Sequence, residues 1–201
     1  MFSSLKGTET AISAMAFLSN ADAIIIDLRE NGGGERISFL STYFFPPGEV
    51  ELSGAYFRES DSVKRSWTLP YVPGKHLPNV DLYILTSSKT FSAAEDFTYS
   101  LQQLKRAKVV GERTKGGAHP VDVLIVKNDI LTQVSIGRSI NPISMTNWEG
   151  VGIQPNVMVP AEDAHTTAYL LALNSLLDES TDEQRSEELI SLIRKKEQIV
   201  G

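Results

Sequence analysis

The sequence contains no cysteine, and this absence excludes disulfides, thiolate metal sites and a cysteine nucleophile. Histidine is also scarce. The chain has three, His76, His119 and His165, and no two of them have the spacing of metal ligands. We therefore predict neither a metal site nor any other cofactor.

A basic cluster and a long apolar run are absent as well. The formal net charge is -6, which disfavours nucleic acid as a partner. No apolar run approaches the roughly 20 residues of a membrane span, and no signal peptide is visible around the early Glu9. With 201 residues, of which 41% are hydrophobic, the chain is large enough for one domain with a substantial core.

Two short apolar runs predict strands that are buried on both faces, at residues 23–28 and 82–86. A helix is predicted after each run, the first over residues 35–45. The second begins after Ser92, and its inward-facing residues are Ala94, Phe97, Leu101 and Leu104. A third short strand is predicted at residues 109–111. This alternation indicates an α/β fold with a mostly parallel central sheet and flanking helices.

The remaining predicted elements are a helix, a β-ribbon, a hairpin and two C-terminal helices. They lie, in this order, at residues 8–20, 48–80, 121–136, 161–177 and 181–198. The first helix should turn Ala11, Ala14, Met15 and Leu18 towards the core. Residues 139–152 are predicted to form a loop, and residues 157–159 a short apolar segment. Thr181 and Gln184 have the spacing of a capping box at the start of the last helix.

Ser92 stands where a predicted strand ends and a helix begins. The N–H of Ala93, at the start of the helix, is placed to face a developing oxyanion. The glycines at residues 32–34 follow the other buried strand and can offer a second N–H. However, Ser92 and Glu95 also have the spacing of an ordinary capping box. Spacing alone leaves both interpretations open and favours the cap.

Four segments occur in an order that points to one protein family. They are residues 27–34, 90–95, 110–117 and 150–156. Together they resemble the tail-specific, or C-terminal processing, proteases. Residues 116–120 and 147–152 resemble in particular the branch similar to interphotoreceptor retinoid-binding protein and the tricorn core. The resemblance covers about residues 10–175. It implies a crotonase-like (ClpP-like) α/β fold, a serine peptidase site, a peptide or protein substrate, and export to the periplasm or the cell exterior.

The resemblance also implies roles for individual residues. Ser92 matches the nucleophile of the family, and the oxyanion hole corresponds to the N–H groups of Ala93 and of Gly33 or Gly34. The processing proteases use a lysine base, but the matching position here is Gly117. Lys115 lies two residues earlier and is expected in solvent.

The tricorn-like branch uses a histidine base with a supporting glutamate, and the glutamate corresponds to Glu149. Its histidine belongs to an upstream Asp-Gly-His segment that this sequence does not contain. We therefore expect residues 1–178 to be a peptidase core that is incomplete at its N-terminus, and residues 179–201 to be a helical tail. The base would come from a missing N-terminal segment of a longer parent protein, so the isolated chain should have little or no activity.

Other interpretations remain open at this point. The chain is either such a fragment or a degenerate, non-catalytic member of the family. His119 is the local candidate for the base, although it also fits a structural histidine, whereas His76 and His165 are expected at the surface. A non-catalytic member would bind an apolar ligand such as a retinoid or fatty acid. A crotonase-type acyl-CoA enzyme would share the fold, but no CoA-binding sequence is evident. Homo-oligomerisation is left open.

Overall fold

The computed structural model describes residues 5–34, 37–127 and 130–200. Its helices are α1 (Leu5–Phe17), α2 (Ile37–Thr42), α3 (Ala93–Gln103), α4 (Ala164–Glu179) and α5 (Glu183–Val200), and a 3₁₀ turn at Leu18–Asn20 follows α1. Its strands are β1 (Ala23–Asp27), β2 (Glu51–Phe57), β3 (Ser62–Trp67), β4 (Asp81–Thr86), β5 (Lys108–Gly111), β6 (Val121–Val126), β7 (Ile130–Ser135), β8 (Gly137–Ile140) and β9 (Val157–Met158).

The central sheet has the strand order β1-β4-β5-β9, and all its pairings are parallel. Side chains of β4 alternate between two hydrophobic clusters. Leu82 and Ile84 pack with α3 on one face, whereas Tyr83 and Leu85 pack against the alanines of α4 on the other. The predicted α/β fold with a mostly parallel central sheet and flanking helices is therefore confirmed.

The strand predicted at residues 23–28 exists, but only Ile24 within β1 is buried. The prediction of burial on both faces was wrong here because β1 lies at the edge of the central sheet, paired with β4 alone. The prediction was right for β4, which lies inside the sheet and whose residues 82–86 are all buried. A continuous apolar run does not distinguish an edge strand from an inner one.

The excursion predicted at residues 48–80 is a β-ribbon formed by the antiparallel strands β2 and β3. β8 pairs with the other edge of β2, so residues 139–140 are a strand rather than the start of a loop. The sequence of β8 lacks an apolar alternation, and its extended form depends on this pairing with a strand distant in the chain. The ribbon forms one wall of the candidate site.

Several element boundaries differ from the predictions. α1 begins before residue 8, and Ala14 is exposed rather than turned inward. α2 ends at Thr42, and residues 35–36 of the predicted helix lie outside the described part. The cap of α5 is shifted by one residue, because Asp182 Oδ1, not a Thr181 hydroxyl, accepts the Arg185 N–H at 2.7 Å. The hairpin of β6 and β7 is confirmed, with residues 128–129 of its turn outside the described part.

Within the described ranges, no helix has both the length and the apolar character that crossing a membrane requires.

Arg106 joins the segment after α3 to two loops. Its Nε donates to the carbonyl of Phe44 at 2.6 Å, and its Nη2 donates to the carbonyls of Leu77 at 2.7 Å and Val80 at 2.8 Å. Burial lowers the pKa of Arg106, and the nearby Asp81 opposes this effect. The guanidinium therefore donates hydrogen bonds to three carbonyl groups that lie outside the described strands.

We predict that Arg106→Met lowers the free energy of unfolding by about 2–4 kcal/mol, because it leaves these carbonyls without a charged donor. Urea unfolding measures the effect. Arg58→Met is the matched control at an exposed position and should change the value by less than about 0.5 kcal/mol. Equal effects of the two substitutions would contradict the assigned role of Arg106.

Candidate active site

The turn between β4 and α3 is fixed to the glycine loop that follows β1. Thr90 Oγ1 donates to the Leu28 carbonyl at 2.8 Å, and the Phe91 N–H donates to the Asn31 carbonyl at 3.1 Å. Ser92 follows directly and is the last residue before α3. The carboxyl ends of β1 and β4 thus bring together the two loops that the sequence predicted to be neighbours.

Ser92 has φ 57° and ψ −122°, in a region that residues other than glycine rarely adopt. An ordinary N-cap residue instead has extended backbone angles. Such a conformation costs of the order of 1–3 kcal/mol and persists only where the surroundings hold it in place. Strained turns between a strand and a helix carry the nucleophile in some hydrolases because they expose its hydroxyl. The backbone of Ser92 therefore differs from that of a simple helix cap.

Glu95 is fully buried, and its carboxylate is surrounded by donors. Oε2 accepts the N–H groups of Ser92 at 2.8 Å and Gly117 at 2.9 Å. Oε1 accepts the Gly116 N–H at 2.7 Å and the Thr114 hydroxyl at 2.5 Å. The bond to Ser92 is the part that capping-box spacing predicts. The other three tie the start of α3 to the loop after β5, and sequence reasoning missed them.

The glycine loop lies against the serine turn. Gly33 has φ +102°, and a Cβ atom at this position would stand 2.8 Å from Ser92 Cβ, so only glycine fits. The Gly33 N–H already donates to Asn31 Oδ1 at 2.9 Å. Ala93 is the first residue of α3, and its N–H therefore has no acceptor within the helix. Because the Gly33 N–H is already engaged, Ala93 and Gly34 remain as the two candidate oxyanion donors among those predicted.

Gly33, Gly34 and Ala93 also border an apolar pocket on the α1 side of the turn. Its other described lining residues include Leu28, Ile37, Leu40 and Phe97. The pocket brings the candidate oxyanion donors next to a surface suited to an apolar group.

A second cleft contains Ser92 itself. The ribbon of β2 and β3 forms one wall, and the start of α3 with the loop after β5 forms the other. Asp96, His119 and Trp148 line this cleft together with Ser92. Within the described ranges, no hydrogen bond joins the Ser92 hydroxyl to His119. The structure thus brings the predicted local base into the cleft without pairing it with the serine.

Glu149 is exposed and holds the loop that carries His119. Its Oε2 accepts the N–H groups of Ala118 at 2.7 Å and His119 at 2.9 Å. Burial raises the pKa of Glu149, but these two N–H groups and the nearby His119 ring outweigh it, so the pKa lies below its ordinary value. In the described part of the chain, Oε1 of this carboxylate makes no hydrogen bond. Glu149 contacts the backbone of His119 and not its ring.

An aromatic ring closes Gly117, the position predicted to correspond to the lysine of the processing proteases. A Cβ atom at Gly117 would collide with the ring of Phe91. Lys115 is exposed, with its Nζ 4.8 Å from the centroid of the same ring. A lysine side chain at residue 117 therefore does not fit while Phe91 stays in place.

The other two histidines do not line the cleft of Ser92. His165 is exposed on α4, as predicted. His76 was also expected at the surface, but it is half-buried, and its Nδ1 lies 2.8 Å from the Phe45 carbonyl oxygen because its loop folds against the segment after α2. Among the residues that the structure describes, no three His, Asp or Glu side chains form a group able to hold a metal ion.

Asp96 lies one helical turn after Ser92 and was not singled out from the sequence. Burial raises the pKa of its carboxyl to about 6, although the hydroxyls of Ser53 and Ser100 counteract this effect. The only signal in the sequence is its spacing from Ser92. Burial comes from the distant ribbon, which spacing does not reveal.

The comparisons with known proteins agree with this geometry. The sequence pattern that describes Peptidase family S41 matches residues 2–159, which is most of the chain. The chain therefore belongs to this peptidase family, and the resemblance to the tail-specific proteases is confirmed.

Several solved structures share the fold. The photosystem II D1 C-terminal processing protease has a TM-score of 0.63 and 21% identity, covering 79% of this chain and 40% of its own. A putative peptidase from Parabacteroides merdae has a TM-score of 0.67 and 21% identity, and the match covers 83% of this chain and 56% of that protein. A putative S41 protease from Bacteroides fragilis has a TM-score of 0.65 and 17% identity, and the match covers 99% of this chain and 51% of that protein. The chain thus spans between 40% and 56% of the length of these three proteins.

We predict that Glu95→Gln lowers the free energy of unfolding by about 2–4 kcal/mol, because an amide N–H₂ would face donors that need an acceptor. Urea unfolding measures the loss. Glu187→Gln, at an exposed position of α5, is the control and should change stability by less than about 0.5 kcal/mol. A Glu95→Gln chain as stable as the parent would show that these bonds do not hold the loop.

Asp96→Asn should stabilise the protein at neutral pH and not in acid. The carboxyl has a pKa of about 6 when folded, against an ordinary value of 3.8. Below both pKa values the carboxyl is neutral in the folded and the unfolded state and does not lower the free energy of unfolding. Above pH 6 the folded protein holds a charge that burial disfavours. Urea unfolding at pH 7.5 should show a gain of about 1–3 kcal/mol, and at about pH 3, below both values, little or no gain. The exposed Asp178→Asn is the control, and a gain independent of pH would refute the assignment.

Proposed function

We propose that this chain is the C-terminal part of the catalytic domain of a serine-type peptidase, with Ser92 as the nucleophile. The observation that carries the proposal is the strained backbone of Ser92 at the junction of β4 and α3. Strain at a polar residue in a cleft is expected where function, and not stability, selects the conformation. Membership in a peptidase family supports the same assignment.

The proposed reaction follows the acyl-enzyme route. Ser92 Oγ attacks the carbonyl carbon of the peptide bond while a base takes its proton. The N–H groups of Ala93 and Gly34 stabilise the oxyanion of the tetrahedral intermediate. The base then gives the proton to the leaving amine, and water hydrolyses the resulting ester by the same steps in the second half of the reaction.

The base is proposed to be a histidine from outside this chain, supported by Glu149. The lowered pKa of Glu149 keeps its carboxylate ionised, and Oε2 is engaged by the loop. Oε1 is then the oxygen available to orient an imidazole. The similar solved structures are longer than this chain, which is consistent with a further segment that completes the site. His119 is the alternative base within the chain, since its side chain lines the cleft.

A non-catalytic module that binds an apolar ligand is the second candidate. The apolar lining of the pocket beside Gly33 and Gly34 favours it, although the cavity volume of about 30 Å³ means that the pocket would have to widen to accept a retinoid or a fatty acyl chain. Saturable binding of a fatty acid, unaffected by Ser92→Ala and combined with an unreactive serine, would support this candidate over the peptidase.

A fluorophosphonate probe tests the peptidase proposal, because it reacts with an activated serine. The longer protein that contains this chain should be labelled, and Ser92→Ala should abolish labelling. The neighbouring exposed Ser88→Ala should keep it. The isolated chain should be labelled weakly or not at all. Equal labelling of the longer protein with and without Ser92→Ala would overturn the assignment.

The same probe distinguishes the two candidate bases. If the isolated chain is labelled and His119→Gln removes the labelling, the base is His119. If only the longer protein is labelled and His119→Gln leaves it unchanged, the base lies outside this chain.

A further inference from the structure

Asp96 and Ser92 share one face of the start of α3. Ser92 directly precedes α3 and Asp96 lies in its first turn, and both residues line the cleft between the ribbon and the loop after β5. A peptide whose carbonyl reaches Ser92 therefore passes the carboxyl group of Asp96. The residue that meets Asp96 lies close to the bond under attack.

The carboxyl group of Asp96 is weakly satisfied by the protein. Ser53 Oγ donates to Oδ2 at 3.2 Å, and Ser100 Oγ donates to Oδ1 at 3.4 Å. Both distances exceed the range of about 2.5–3.0 Å that is usual for such bonds. Within the described part of the chain, Asp96 forms no ion pair with a lysine, arginine or histidine. A partly buried carboxylate in this state has capacity for a cation.

We propose that Asp96 forms a subsite that binds a basic side chain of the peptide substrate, next to the scissile bond. This inference rests on the proposed peptidase function and adds to it a preference for lysine or arginine at one substrate position. An incoming ammonium or guanidinium group supplies the opposite charge and the donors that Asp96 lacks. The nucleophile and the subsite then act on neighbouring residues of one bound peptide.

Two other ionisable groups face this cleft. Lys64 on β3 lies on the opposite wall, with its Nζ 4.9 Å from the centroid of the Phe57 ring, and His119 lies on the loop after β5. Neither pairs with Asp96, so neither occupies the subsite. Because burial raises the pKa of Asp96 to about 6, its carboxyl group is ionised at neutral pH and loses its charge in mild acid. The preference for a basic residue should therefore decline as the pH falls below that value.

Equilibrium binding to the Ser92→Ala chain tests the subsite without requiring reaction. Fluorescent peptides are compared that differ at one position at a time between lysine and norleucine, which lacks only the charged amino group. At one position, lysine should bind about tenfold more tightly than norleucine at pH 7.5. Added Asp96→Asn should remove this difference, Asp96→Glu should keep most of it, and the exposed Asp122→Asn, outside the cleft, should leave it unchanged.

The outcomes separate the subsite from the peptidase proposal. No lysine preference at any position, no binding by any peptide, or a preference that survives Asp96→Asn would overturn the subsite. A lysine preference that depends on Asp96, together with an unreactive Ser92 in the longer protein, would overturn the peptidase assignment and leave a basic-peptide subsite. A reactive Ser92 without any lysine preference would overturn the subsite and leave the peptidase assignment in place.

Discussion

The buried carboxylate of Glu95 is the interaction on which the candidate site depends. Burying a carboxylate without partners costs several kcal/mol, so its position is stable only while the surrounding donors stay in place. Those donors belong to the serine turn and to the loop after β5, at Ser92, Thr114, Gly116 and Gly117. The helix start and the loop are consequently fixed to each other. The same bond engages the Ser92 N–H, whereas the N–H of Ala93, the first residue of α3, has no acceptor within the helix.

This constraint also explains how a strained serine can persist. The conformation of Ser92 is held from three directions: by Glu95 on its own helix, by the closely packed Gly33, and by the bond from the Phe91 N–H to Asn31. Two of these contacts come from the loop after β1, which the parallel pairing of β1 and β4 places beside the serine turn. The pairing of β1 and β4 in the sheet therefore helps to offset the backbone strain of Ser92.

The sequence predicts the features that local pattern determines. The apolar run of β4 and the stripe of α3 define the strand-to-helix junction, and Ser92 follows from them. Features that depend on distant segments were missed, because no local signal carries them. β8 is a strand only because β2 pairs with it, and the partial burial of Asp96 involves a contact with Ser53 of the distant ribbon. The spacing of Glu95 predicted one of its four bonds, the one made to its own helix.

The loop after β5 fits the proposed histidine base better than a lysine base. The Phe91 ring fills the space beside Gly117 that a lysine side chain would need. Glu95 binds both Gly117 and Ser92, the residue after Phe91. A lysine could enter only if the Phe91 ring moved aside. Glu149, by contrast, is ionised and keeps one carboxylate oxygen unengaged within the described residues. An imidazole needs such an acceptor to hold its tautomer, whereas an amine base does not. These two observations support the proposal that the base is a histidine.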